Sequence, residues 1–286
     1  SLNNILDYQD FLSIQSKLSN DEIRPIGIGV TNLAYWHAKR NFQYGDKDAL
    51  HEVKSWMEHQ AYYLTESSVE LAKERGACLH SDKTRYGQGK FPWELRAKGV
   101  NELADFTPEL DWETLRANMK QYGVRNATLM AIAPVESSSV VINSTNGIEP
   151  PRALVSVKGS KDGVLKQVVP EVRKLKNKYE LLWDQPSPEG YIKIMAVLQK
   201  WIDQSISTNT SYTFSIIFSS NDFFYSFISH CGGSTQTNTI LSGFFNSFCI
   251  FSVRASFILI QNYSLGQHNP VQLIRPSLVN FSNFLG

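Results

Sequence analysis

Charge is what the C-terminal part of this chain lacks. The 286 residues include 28 lysines and arginines and 27 aspartates and glutamates, yet only Asp222, Arg254 and Arg275 lie beyond Tyr212. Most of the 16 phenylalanines lie there as well. A composition shift this abrupt marks a boundary. Residues 1–212 read as an ordinary globular sequence, and residues 213–286 as a low-charge Phe/Ser-rich tail. Cysteine is also scarce. Three scattered copies with no CxxC exclude a disulfide framework, and a reducing, cytoplasmic setting is the expectation. A formal net charge of +1 gives no electrostatic case for nucleic acid or an acidic membrane as partner. There is no GxSxG, no HExxH and no P-loop, which removes the sequence signatures of three large enzyme classes.

Other absences narrow the reading further. Cys78 and His80 stand close together, but no second pair of ligands follows at metal spacing, and His51 and His59 are more than two helical turns apart. No metal site is expected. Gly27-Ile28-Gly29 lacks the third glycine of a dinucleotide fingerprint and follows a polar stretch, so it reads as a tight turn into a helix. A membrane segment at 239–260 is about long enough, but Arg254, Asn246 and several serines interrupt it. Ser1-Leu2-Asn3-Asn4 is neither a methionine start nor a signal peptide, and a beginning inside something larger is the expectation.

What is present is helical periodicity broken by short apolar runs. Residues 2–18 have helical spacing, with Leu2, Ile5, Leu6, Phe11 and Leu12 as inward positions. Residues 26–30 form a strand or turn before a helix near 31–39. The longest helical pattern spans 47–75, with Ala49, Val53, Trp56, Met57, Leu64 and Leu71 on one side and Gly76 as its stop. Asp111 suits the N-cap of a helix over 112–122, and Gly123 its C-terminal cap. A strand at 127–133, a helix near 138–144, a strand at 153–157 and a helix over 190–207 follow. Helices alternating with short apolar strands indicate the α/β class.

The strongest functional pointer is the end of the apolar run 127–133, which passes into Pro134-Val135-Glu136-Ser137-Ser138-Ser139. A buried strand ending in proline, one carboxylate and three hydroxyls delivers a polar loop to a pocket. A Ser-rich turn opening a helix offers backbone N–H groups and hydroxyls to an anion. The same residues could serve simply as a helix cap, and the local pattern leaves both readings open.

The surrounding motifs favour the first. Trp112-Glu113-Thr114-Leu115, Gly123-Val124-Arg125-Asn126, Met130-Ala131 and Pro134 follow one another at a spacing that resembles the signature of the ribonucleotide reductase large subunit. The likeness continues through Asn146-Gly147-Ile148-Glu149-Pro150-Pro151-Arg152 and ends with Gln199-Lys200-Trp201-Ile202-Asp203-Gln204-Ser205 and the residues just after it. It covers about 1–212, looks most like the class I form of a phage or bacterium, and does not extend into 213–286. That tail is expected to be non-homologous, such as read-through into an intron or a shifted frame.

The resemblance implies part of a ten-stranded α/β barrel, incomplete in this chain. It implies reduction of ribonucleoside diphosphates to deoxyribonucleoside diphosphates for DNA synthesis, with Glu136, Ser137 and Ser138 binding the substrate diphosphate. Glu136 would act through its backbone N–H, since its charge repels phosphate. Val135 stands where relatives often carry a hydroxyl. The family's radical and reducing cysteines have no counterpart here, so no catalytic residue is assigned and the chain alone is expected to be inactive. No cofactor is expected on this chain, the radical coming from a metal-containing small subunit. Further implied partners are thioredoxin or glutaredoxin and, in a split-gene arrangement, a separate N-terminal large-subunit chain. A non-enzymatic phosphate-binding module is the remaining alternative.

Overall fold

The computed structural model describes residues 1–160, 163–210 and 255–258. Its elements are α1 (Leu2–Tyr8), α2 (Ile14–Ile23), α3 (Leu33–Arg40), α4 (Lys47–Arg75), α5 (Pro92–Leu95), α6 (Trp112–Tyr122), α7 (Glu136–Val141), β1 (Val155–Ser160), β2 (Gly163–Val168), α8 (Val172–Leu175), α9 (Glu189–Trp201), β3 (Ser207–Thr210) and β4 (Ala255–Ile258).

The centre is a helical layer. In α4, Leu50, Val53, Met57, Ala61 and Val69 recur at helical spacing and are buried. Trp56, expected inward, is exposed at 41%. The helix stops where Gly76 adopts φ 83° and returns its N–H to Ala72 O. Helix α6 begins as expected, with the Asp111 carboxylate accepting Thr114 N at 3.0 Å. Helix α4 packs against both α6 and α9, and α9 is buried nearly all round through Tyr191, Ile194, Val197, Leu198 and Trp201. Phe91, Trp93 and Phe106 fill the seam, and the Trp112 and Trp201 rings stack with centroids 5.9 Å apart.

A narrow parallel strip lies beside this layer. The run expected as a strand at 127–133 is its middle member. On one side Ile28 N donates to Leu129 O at 2.8 Å and Ala131 N to Ile28 O at 3.2 Å. On the other, Ile132 N donates to Ser205 O at 3.1 Å and Ser207 N to Ile132 O at 2.8 Å. Both pairings are parallel. Adjacent Leu129 and Met130 are each buried, so the strip is covered on both faces, as parallel strands require. Gly29 is needed there, since a Cβ would sit 2.8 Å from Ala131 O. The architecture is mixed helix and sheet, with no closed barrel among the described residues.

Several boundaries differ from expectation. The helix anticipated over 2–18 is two helices. Gln9 turns extended, and Ser13 caps a fresh start by accepting Ser16 N. Leu2, Ile5 and Leu12, expected inward, are exposed. The inward residue is Asn3, whose side-chain and backbone oxygens accept from Arg24 at 3.1 and 2.9 Å. Helix α9 stops at Trp201 rather than 207. The Asp203 carboxylate accepts Leu129 N at 2.6 Å and Met130 N at 2.9 Å, drawing the chain into the parallel strip. The strand expected at 153–157 is β1, paired antiparallel with β2 from Val155↔Val168 to Ser160↔Gly163. β3 pairs antiparallel with β4. The rest of the tail, including most of the candidate membrane stretch 239–260, lies outside the described residues. Among those described, no helix is long and apolar enough to cross a membrane.

Candidate functional site

The Pro134–Ser139 turn sits at the C-terminal end of the middle parallel segment, the end at which α/β proteins assemble their sites. Helix α7 begins at Glu136, two residues earlier than the spacing suggests. Glu136, Ser137 and Ser138 therefore occupy its first turn, where amides have no partner within the helix. The N-cap residue, Val135, offers no side-chain acceptor to them.

The three serines have different roles. Ser139 is fully buried, and its Oγ donates to Glu136 O at 2.9 Å. Its N–H donates to Val135 O, and its carbonyl accepts Ser144 N, both at 2.8 Å. Ser137 and Ser138 are exposed, and neither hydroxyl has a partner among the described residues. One serine builds the turn and two remain open on its outer side.

Glu136 faces a cleft of about 150 Å³ whose walls include Asn146, Glu149, Arg152 and Gln167. Ser137 and Ser138 do not line it, so the three expected site residues share a turn but not a cavity wall. Arg152 lines the same cleft as Glu136 and Glu149. Sequence reasoning assigned no role to Asn146, Glu149 or Arg152. Their signal was a place in Asn146–Arg152, one of the runs that carry the family likeness, but their convergence with residue 136 on one cleft is tertiary. In the core, burial raises the Tyr191 hydroxyl well above its usual range, although its hydrogen bond with Thr208 opposes this. At the strip, burial pushes the Asp203 carboxyl up to about 6 against the pull of the Leu129 and Met130 amides.

The remaining chemical candidates lie away from this rim. Cys78 is buried and its thiol is pushed up by desolvation, the opposite of an activated nucleophile. Tyr62 and Tyr63 belong to α4, with edge-on rings 5.4 Å apart. Cys231 and Cys249 fall outside the described residues. Among those described, no three metal-capable side chains converge.

The family model for the ribonucleotide reductase barrel domain matches residues 1–180. The chain is 48% identical over 212 residues to the ribonucleoside-diphosphate reductase subunit alpha of Buchnera aphidicola from Acyrthosiphon pisum, covering 74% of this chain and 28% of that protein. It is 46% identical over 207 residues to the ribonucleoside-diphosphate reductase 1 subunit alpha of Escherichia coli K12, covering 72% and 27%. The subunit alpha of enterobacteria phage T4 is 39% identical over 215 residues, covering 74% and 28%. The chain thus spans little more than a quarter of the length of these relatives.

Proposed function

The chain belongs to the family of the ribonucleotide reductase barrel domain, and on that premise we propose that it supplies the substrate diphosphate loop of a ribonucleoside-diphosphate reductase large subunit. The reaction would be that of an oxidoreductase making deoxyribonucleoside diphosphates for DNA synthesis. The observation that carries this reading is the open first turn of α7, with Ser137 and Ser138 exposed while Ser139 anchors the turn from below. Backbone N–H groups and hydroxyls in such a turn bind phosphate oxygens without a lysine. Glu136 contributes its amide and faces the cleft. Arg152, on the same wall, supplies the positive charge that a diphosphate beside two carboxylates needs.

This chain's part is binding and orientation. The radical would come from a metal-containing small subunit, the electrons from thioredoxin or glutaredoxin, and the reacting cysteines from elsewhere in the large subunit. Residues 213–286 take no part in this reading. Calorimetry with CDP tests it. The Ser137→Ala, Ser138→Ala variant should lose at least about tenfold in affinity, since hydrogen bonds to charged groups are the stronger kind. Unchanged affinity would remove this turn from the substrate site.

A second reading rests on a different observation. Leu2, Ile5, Tyr8, Leu12, Ile14 and Leu18 are all exposed on α1, α2 and the turn between them. A concentration of exposed apolar side chains of this kind marks an interface. In the split arrangement a separate N-terminal large-subunit chain covers it. Co-purification with such a chain, lost on Leu12→Glu plus Ile14→Glu, would support assembly. Retention by that variant would exclude this face.

A further inference from the structure

The Asn146 side chain lies between the diphosphate turn and the end of the parallel strip. Its Oδ1 accepts the Val135 N–H at 2.8 Å, and its Nδ2 donates to Glu149 Oε2 at 3.3 Å. The other oxygen of Glu149 accepts Asn209 N at 3.1 Å, Asn209 Nδ2 at 2.9 Å and Thr208 Oγ1 at 3.5 Å. A continuous bridge therefore runs from the N-cap of α7 through Asn146 and Glu149 to β3.

We propose that Asn146 and Glu149 are positioning residues for the diphosphate turn, a two-member strut that sets the direction of the Glu136–Ser138 amides; this rests on the function proposed above. The Val135 amide is the last one before the open turn, and the plane of that peptide fixes how the following amides are aimed. The N-cap residue Val135 supplies no side-chain cap, so beside the Ser139 hydroxyl bond inside the helix the turn is held from outside by Asn146. Glu149 has a second effect. A half-buried carboxylate on the wall of a cleft intended for diphosphate is electrostatically adverse. Here its two oxygens receive donors from Asn146, Thr208 and Asn209, which hold its charge away from an incoming anion. The same bridge makes the turn sensitive to the position of β3, the next element after α9.

The donor and acceptor order along the strut can be inverted without changing its shape. In Asn146→Asp, two carboxylates face each other where a donor met an acceptor, which opens the strut. Adding Glu149→Gln restores it. The new aspartate still accepts Val135 N–H and now accepts from the glutamine Nε2, while the glutamine oxygen still accepts from Asn209. The experiment compares the full chain, N146D and the N146D/E149Q double variant by CDP calorimetry and by hydrogen exchange at the Val135 and Asn209 amides. N146D should weaken CDP binding about tenfold and expose both amides, and the double variant should return both readouts to within about twofold of the starting chain. A general loss of stability could not be repaired by adding a second substitution of this kind. Normal behaviour of N146D, or a double variant as impaired as N146D, overturns the strut. If the unsubstituted chain binds no CDP, the diphosphate reading fails, and the exchange pattern alone still decides whether the strut exists.

Discussion

Glu58 and Glu136 are both carboxylates on helices of this chain, and their surroundings differ sharply. Glu58 is wholly buried between α4 and α6. Its Oε1 accepts Glu109 N at 2.6 Å, Leu110 N at 3.3 Å and Trp112 Nε1 at 3.0 Å, and its Oε2 pairs with the buried Lys54 Nζ at 2.9 Å. That ammonium also donates to Thr107 O and Glu109 Oε1. Glu136 stands on an exposed turn beside two serines whose hydroxyls have no partner among the described residues. The core admits a charge only when nearly every lone pair is used. The rim leaves hydrogen-bonding capacity unspent, and unspent capacity at the end of a parallel strip is what a ligand can use. Polar groups in the first region should therefore govern stability, and those in the second affinity.

The largest effect that would test this division is at Glu58. Replacing it with alanine leaves Lys54 without its most buried partner and strands the Trp112 indole N–H. Breaking one side of a buried ion pair costs ~3–5 kcal/mol, measurable by urea unfolding. Replacing both members with apolar side chains, Lys54→Met plus Glu58→Leu, should recover much of that loss. A Glu58→Ala cost under ~1 kcal/mol would erase the distinction between the two regions.

A smaller, pH-dependent effect sharpens it. His37 is buried against Tyr44, with ring centroids 4.5 Å apart, and neither ring nitrogen has a hydrogen-bond partner among the described residues. Burial pushes it from 6.5 down to about 4, against the attraction of Asp46. The unfolded chain thus binds a proton that the folded chain refuses, and His37 removes stability as pH falls from about 6.5 to about 4. Asp203 acts in the opposite sense. Its folded value, raised from 3.8 to about 6, means that stability is lost as pH rises across that window. The two slopes oppose each other, and their combined contribution between pH 4 and 6 is shallow. His37→Phe removes one of them. At pH 5 the variant should gain ~2 kcal/mol over the parent relative to the difference between them at pH 8. Its remaining profile should fall from pH 4 to 6. Parallel profiles for parent and variant would show that His37 is not the buried neutral base described here.

These two groups also show where sequence reading stops. The Asp111 cap, the Gly76 and Gly123 stops and the α4 periodicity were legible, because each depends on neighbours a few residues away. The split between α1 and α2 was not, because Arg24 draws Asn3 inward across 21 residues of chain. The end of α9 depends on Asp203 reaching amides 73 and 74 residues away. At the rim, the polar turn itself could be read from Pro134–Ser139. Its supporting residues could not, because Asn146 and Glu149 become neighbours of Val135 and Asn209 only when the chain folds.

The smallest effects bring the comparison down to a single helical turn. Ser139 is buried, and its hydroxyl closes on Glu136 O. Ser139→Ala should cost ~1 kcal/mol, the usual value of one intramolecular hydrogen bond. Ser137→Ala with Ser138→Ala should change stability by less than ~0.5 kcal/mol, because both side chains already face solvent. If the second variant unfolds as readily as the first, the outer serines hold the turn together, and the loss of CDP affinity expected from them would report a damaged loop. If it does not, the division between core and rim runs between Ser138 and Ser139, inside one turn of α7. Affinity lost there without stability would then belong to the ligand contact itself.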